Sequence, residues 1–110
     1  MPPPEFRTRI TELFGIRVPL VCGGMMWLAV DKYVAAVVNA GGIGFITPRS
    51  FATPEDYRKA LRRCRDATED GPFGVNLYVS ARPEANQALA GFLDIAIEAG
   101  VKQFIFSSTA

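Results

Sequence analysis

Among the side chains of this 110-residue chain, the carboxamide of Asn76 is the sharpest candidate for a ligand contact. It stands in the middle of Phe73-Gly74-Val75-Asn76-Leu77-Tyr78-Val79, an otherwise largely apolar run. A buried carboxamide must satisfy a donor pair and an acceptor. Near the C-terminal end of a strand inside a barrel, it could bond a heterocycle or a phosphate; equally, it could serve a neighbouring backbone loop. Upstream, Gly23-Gly24-Met25-Met26-Trp27 closes another apolar run. Two glycines there let backbone amides approach a flat or anionic ligand closely. The alternative is a tight turn with Met and Trp packed under a helix layer. Ser107, Ser108 and Thr109 put hydroxyls just past the last apolar run, in the right place for ligand contact, although hydroxyls are common at strand ends. The chain has no histidine. This removes Ser-His and Cys-His catalysis, His-ligated metals and the commonest general base at neutral pH. Acid–base chemistry within these residues therefore falls to a carboxylate, Lys, Tyr or Cys.

The elements that must position these groups alternate between apolar runs and amphipathic stretches. Residues 7–14 read as a lead-in helix ended by Gly15. Val18-Pro19-Leu20-Val21-Cys22 is the first strand, with Pro19 tolerable near its start. Asp31 is placed to N-cap a helix over residues 32–40 with Val34, Val37 and Val38 as its apolar stripe. Gly41-Gly42 ends that helix and Ile43-Gly44-Phe45-Ile46 is the second strand. The glycine cluster there is the reverse of a dinucleotide fingerprint, since it follows a helix and precedes a strand. Thr53 as N-cap, Pro54 at the first helical position and Glu55-Asp56 against the positive helix end open the next helix. Tyr57, Ala60, Leu61 and Cys64 share its buried face. Arg58, Lys59, Arg62, Arg63 and Arg65 lie opposite, among enough acids to make a solvated surface. The Asn76 run is the third strand. A helix over residues 84–99 carries Leu89, Phe92, Leu93, Ala96 and Ile97 at helical spacing, with Gly100 as its cap. Gln103-Phe104-Ile105-Phe106 is the fourth strand.

Strands that are apolar without alternation are buried on both faces, which indicates a parallel sheet joined by crossover helices. They recur about every 25 to 31 residues, and a complete (β/α)8 barrel spends about 31 residues per unit, so four units make about half a barrel. A doubly wound open sheet competes with it. At 49% hydrophobic and 21% charged, the chain has the composition of a folded globular domain. A net charge of +1 offers no electrostatic footprint for nucleic acid or anionic lipid. No apolar run approaches the ~20 residues of a membrane span, and Met1-Pro2-Pro3-Pro4-Glu5 is not a signal peptide. Residues 1–6 are expected to be a flexible lead. Cys22 and Cys64 have no metal-type spacing and read as reduced thiols of a cytoplasmic protein.

Taken in order, Arg9-Ile10-Thr11-Glu12-Leu13-Phe14-Gly15-Ile16 with Pro19 following, Gly23-Gly24-Met25, Val34-Ala35-Ala36-Val37-Val38-Asn39-Ala40-Gly41-Gly42-Ile43-Gly44, Pro72-Phe73-Gly74-Val75-Asn76-Leu77 and Glu98-Ala99-Gly100-Val101-Lys102 resemble the nitronate monooxygenase family, also called the 2-nitropropane dioxygenase family. The resemblance runs from Arg7 onward. It implies a TIM-type (β/α)8 barrel, here its first four βα units, that binds FMN and oxidises alkyl nitronates with O2 to carbonyl compounds and nitrite. In that family the loop matching Gly23-Gly24-Met25 lines the flavin and the strand Asn contacts FMN, so the resemblance assigns cofactor contacts to Gly24, Met25 and Asn76. Flavin-dependent enoyl-ACP reductases share the opening motifs and are the alternative on the same scaffold.

The family's catalytic histidine and its Gly-rich phosphate loops belong to the second half of the barrel, beyond Ala110, so no catalytic residue is expected in this chain. The end of the fourth strand, Gln103 to Ser108, also departs from the acidic, Thr-containing pattern of the family. The chain alone is therefore expected to be a truncated, inactive half. Val21, Phe45, Val75, Leu77 and Ile105 would then expose an apolar inner face. A homodimer, pairing with a separate C-terminal half, or a non-catalytic half-barrel acting by association would follow. The implied partners are a small nitronate or nitroalkane and O2, with no nucleic acid and no membrane.

Overall fold

Four short strands, all parallel, pair in the order in which the chain makes them. In the computed structural model, which describes residues 5–108, β1 (Val21–Cys22), β2 (Ile43–Ile46), β3 (Gly74–Val79) and β4 (Gln103–Ser108) form one sheet in the order β1-β2-β3-β4. A doubly wound sheet reverses its strand order at a switch point. The sequential order here has none, so the sheet is the curled first half of a (β/α)8 barrel. Helices α2 (Asp31–Asn39), α3 (Pro54–Ala67) and α4 (Leu89–Glu98) are the crossovers, and α1 (Arg9–Phe14) precedes them.

Register decides which side chains face the helices. Phe45 pairs with Gly74, Gly74 with Gln103 and Asn76 with Ile105, so these residues share the inner face. Ile46, Val75, Leu77 and Phe104 point the other way, into the layer of Val34, Val38, Tyr57, Leu61, Cys64 and Ala96. The expected bare inner surface is thus corrected. Val75 and Leu77 face the helices, and both are buried. Phe45 does face inward, but Phe14 and Ile16 cover it, with the Phe14 and Phe45 rings edge-to-face at 6.2 Å. Only Val21 of that group is exposed. α1, closed by its Thr8–Thr11 capping box and left-handed Gly15, thereby plugs the N-terminal end of the half-barrel.

Several expected boundaries move, each for a local reason. The first strand shrinks to Val21–Cys22, because the amides of Arg17 and Val18 both bond the Gly41 carbonyl and leave the ladder. Val30, not Asp31, is the N-cap of α2; the Asp31 carboxylate is taken by Arg63, with Nε and Nη2 at 2.9 and 3.3 Å. The expected helix over 84–99 starts as a 3₁₀ turn, Pro83–Asn86, and becomes α-helical only at Leu89. There the Asn86 carboxamide is held by both backbone groups of Ser80, at 2.8 and 2.9 Å. Ile97 is exposed, and Ile95 takes its place in the core. The helix cap at Thr53 and the buried face Tyr57, Ala60, Leu61 and Cys64 are as read from the sequence. The basic face is solvated and largely ion-paired, Arg58 and Arg62 with Glu55 and Arg65 with Asp70. Both cysteines are free thiols. Met1 to Pro4 of the expected flexible lead lie outside the described residues, and so do Thr109 and Ala110. The Thr109 hydroxyl, placed by the sequence where a ligand could be met, and the expected break in the barrel at Ala110 therefore fall outside them as well. Glu5, Phe6 and Arg7 are non-helical and exposed.

Burial raises the Cys64 thiol from its ordinary 9.0 to about 12, with the Asp31 charge adding to the effect. Tyr57, whose hydroxyl donates to the Phe92 carbonyl at 3.0 Å, is raised by burial as well. Stability linked to a raised pKa is fully present below the unfolded value and is lost as pH rises toward the folded one. Above pH 9 the unfolded thiol ionises and the folded one does not, so the unfolded state is favoured progressively. Thermal unfolding followed from about pH 8 to about pH 11 should show Tm falling, and Cys64→Ala should flatten that fall relative to the parent. An equal pH dependence in the two proteins would show that Cys64 is not held as a neutral thiol.

Candidate functional site

The inner face changes character along the strands. Its lower part is apolar, Ile43 and Phe45 against α1. Its upper part, at the C-terminal strand ends, bears Thr47, Asn76 and Ser107, which belong to the inward-facing rows of β2, β3 and β4. Here a cavity of about 220 Å³ opens, lined by Gly24, Met26, Thr47, Pro48, Arg49, Asn76, Leu77, Tyr78, Leu89, Phe92 and Ser107. Strand carboxyl ends are where parallel α/β folds bind ligands, because the βα loops converge there. A larger cavity, about 490 Å³, lies at the opposite end between Phe14, Gly71, Phe73 and Gln103. It is formed by loops entering the strands, so size alone does not make it the site.

Asn76 and Gly24 meet directly. A Cβ on Gly24 would stand 2.6 Å from the Asn76 Cβ and overlap its carboxamide, so only glycine lets the loop after β1 lie against β3. The Asn76 side chain is 9% exposed, and its Oδ1 accepts from the Ser107 hydroxyl at 3.3 Å. The sequence reading is therefore met on two residues: Gly24 and Asn76 share one wall, and Ser107 joins them. Met25 is not among the lining residues and is 38% exposed; its neighbour Met26 lines the cavity instead. Trp27 and Leu28 are exposed too, so the loop does not tuck under the helices. Trp27 sits at φ 69°, a left-handed conformation costly for a bulky residue, and its amide donates to Ser50 Oγ at 2.8 Å. Ser108 points to the opposite face from Ser107, away from the cavity.

Two polar lining residues from the turn after β2 lie beyond the sequence reading. Thr47 is 7% exposed, and its buried Oγ1 has no hydrogen-bond partner among the described residues. Arg49 belongs to the 3₁₀ turn Pro48–Ser50; its guanidinium donates to the Ala85 carbonyl at 2.7 Å and lies 5.8 Å from the centre of the Phe92 ring. The signal for Thr47 was present in the alternation of β2, which places residues 43, 45 and 47 on one face. Arg49 had no such signal, since its turn follows no period. The lining set contains no carboxylate, lysine, histidine or cysteine, which leaves the Tyr78 phenol as its one weakly acidic side chain. Outside it, the neighbouring Cys22 thiol raises Tyr33 above its ordinary 10.0.

Residues 7–107 match the nitronate monooxygenase family. The chain belongs to that family. A nitronate monooxygenase of Pseudomonas aeruginosa is 38% identical over 80 residues, 73% of this chain and 22% of that protein. A (3aS,4S,5R,7aS)-5-hydroxy-7a-methyl-1-oxo-octahydro-1H-indene-4-carboxyl-CoA dehydrogenase of Mycobacterium tuberculosis is 34% identical over 103 residues, 94% of this chain and 27% of that protein. Among solved structures, FabK from Thermotoga maritima superposes with a TM-score of 0.77 at 37% identity, covering 92% of this chain and 30% of that one. The chain thus spans about a quarter of the length of the curated relatives it matches. The two curated relatives carry the names of oxidoreductases, and the comparisons together support an oxidoreductase on this scaffold.

The contact between Gly24 and Asn76 makes a direct prediction. Gly24→Ala should destabilise the fold by about 1–3 kcal/mol, the usual cost of forcing an extra carbon into a packed site. Adding Asn76→Gly should cost less than the sum of the two single losses, because the overlap is with the Asn76 Cβ and carboxamide, and only glycine removes both. Chemical denaturation of the two single variants and the double variant checks this; strictly additive losses would show that the two residues do not press on each other.

Proposed function

We propose that the chain supplies the first-half wall of the active site of an FMN-dependent oxidoreductase that converts alkyl nitronates and O2 to carbonyl compounds and nitrite. The observation that carries the reading is the joining of Gly24 and Asn76 at the C-terminal strand ends, two of the three residues that the family resemblance assigns to the flavin. The residues fit a flat heterocycle. Gly24 offers backbone with no side chain in front of it, Asn76 offers a carboxamide able both to donate and to accept, and Met26 and the Tyr78 ring offer apolar surface. Gly24 and Asn76, with Met26 in the place the resemblance gave to Met25, would hold the FMN, whose chemistry there is to accept electrons from the substrate and pass them to oxygen. The chain's own contribution is to orient the ring through Asn76, with Ser107 fixing the carboxamide, and to keep water from one side. No group lining the cavity is suited to draw a proton from substrate at neutral pH, which agrees with a catalytic base supplied from elsewhere in the barrel.

The second reading, a flavin-dependent enoyl reductase, has the FabK likeness in its favour. Substrate chemistry separates the two: oxygen consumption with a nitronate against oxidation of a reduced nicotinamide with an enoyl thioester. We also propose that the β1 and β4 edges, beside which Val21 and Phe106 are exposed, pair with further strands of the barrel or with a second copy of the chain.

A polypeptide that carries this segment and continues to the length of its relatives should purify yellow, with an FMN absorbance spectrum. Asn76→Ala and Asn76→Leu should each weaken its FMN binding by about 1–3 kcal/mol, the range for removing one partner of a buried hydrogen bond. Flavin titration with fluorescence detection measures both. A folded, colourless protein that takes up no added FMN would overturn the flavin assignment. Variants that bind FMN like the parent but melt earlier would make Asn76 a structural residue. The 110 residues alone should consume no oxygen with a nitronate.

A further inference from the structure

The turn after β2 holds two polar groups that packing leaves unfinished. Thr47 Oγ1 is enclosed with no hydrogen-bond partner among the described residues, and Thr47 lines the cavity. A buried hydroxyl without a partner is costly, and natural structures keep few of them unless a ligand or water completes the site. Two residues on, Arg49 differs from the arginines of α3. Arg58, Arg62, Arg63 and Arg65 each have a carboxylate within 4 Å, whereas Arg49 has none among the described residues. Its one hydrogen bond goes to the Ala85 carbonyl, and the Phe92 ring supports its plane. These contacts fix the guanidinium at the cavity wall while leaving most of its five N–H donors to spare.

We propose that Thr47 and Arg49 form the anion-recognition end of the substrate pocket, taking a planar two-oxygen anion, a nitronate or a carboxylate, borne on an apolar chain. The guanidinium fork matches such a group in shape and charge, and it does so better than an ammonium. A turn of the Thr47 side chain toward the cavity lets its enclosed hydroxyl donate to one oxygen of the anion and gain the partner it lacks. Leu89 and Phe92 face the apolar chain. This inference rests on the cavity being a substrate site of the proposed oxidoreductase, but its binding test needs no flavin.

The test titrates the 110-residue chain with butyrate, with propane-1-nitronate and with butyramide, the neutral isostere, while NMR shifts of the residues around the cavity are followed. Both anions should bind, and butyramide about 10-fold more weakly. Arg49→Gln should weaken the anions about 10- to 100-fold, as expected for lost hydrogen bonds to a charged group, and leave butyramide unchanged. Thr47→Val should weaken the anions several-fold yet leave Tm equal or higher, because that hydroxyl has no internal partner to lose. This second variant decides the matter if Arg49→Gln fails to fold. The anion bound more tightly identifies the natural head group. Anions that bind no better than butyramide, or that ignore both substitutions, would overturn the proposal. So would loss of FMN uptake by Arg49→Gln in the extended polypeptide, which would place Arg49 at the cofactor. If the parent takes up no FMN while anion binding follows this pattern, the flavin reading fails and the anion site stands.

Discussion

The placement of Phe45 across Gly74 is the constraint on which the rest of the fold depends. Gly74 is paired with Phe45 on one side and Gln103 on the other, and any Cβ there would collide with the Phe45 ring and the Gln103 carbonyl. A glycine at this point lets a large inward side chain lie flat across the next strand, which locks the β2–β3 register. The six-residue ladder between β3 and β4 carries that register onward. A slip of one residue would turn Val75 and Leu77 inward and Asn76 out into the helix layer, exchanging an apolar core for a polar one. The site is therefore a consequence of packing at the far end of the same strands.

This arrangement separates the duties of the two ends. Below, Phe14, Ile16, Ile43 and Phe45 form a small cluster that covers the lower part of the inner face. Above, the same rows of β2, β3 and β4 continue as Thr47, Asn76 and Ser107, polar groups that meet the loop at Gly24. Rigid strands thus present the functional side chains, while the exposed loop carrying Met25, Met26 and Trp27 forms the rim.

Much of this was legible in the sequence, and the exceptions share a cause. The βα alternation, the parallel sheet, the Thr53 cap and the buried face of α3 follow from local rules of capping and period, and the structure has them all. Asn76 was visible as a carboxamide within an apolar run. Misplaced boundaries arose wherever a side chain found a distant partner: Asp31 with Arg63, 32 residues away, and Asn86 with the Ser80 backbone. The exposed inner face was expected because periodicity could not tell inward from outward in strands apolar on both sides. Only the register and the plug formed by α1 resolve that. Arg49 was illegible for a related reason, since its significance lies in contacts with Ala85 and Phe92, far along the chain.

The central claim is that the C-terminal strand ends, and not the larger cavity below, receive the flavin. Hydrogen–deuterium exchange of the polypeptide extended to the length of its relatives, with and without FMN, tests it most directly. Added FMN should slow exchange in segments 23–26 and 76–80, whose backbone borders the upper cavity, and leave segments 71–73 and 101–103 unchanged. Protection confined to the lower segments, or absent from segment 76–80, would contradict the account.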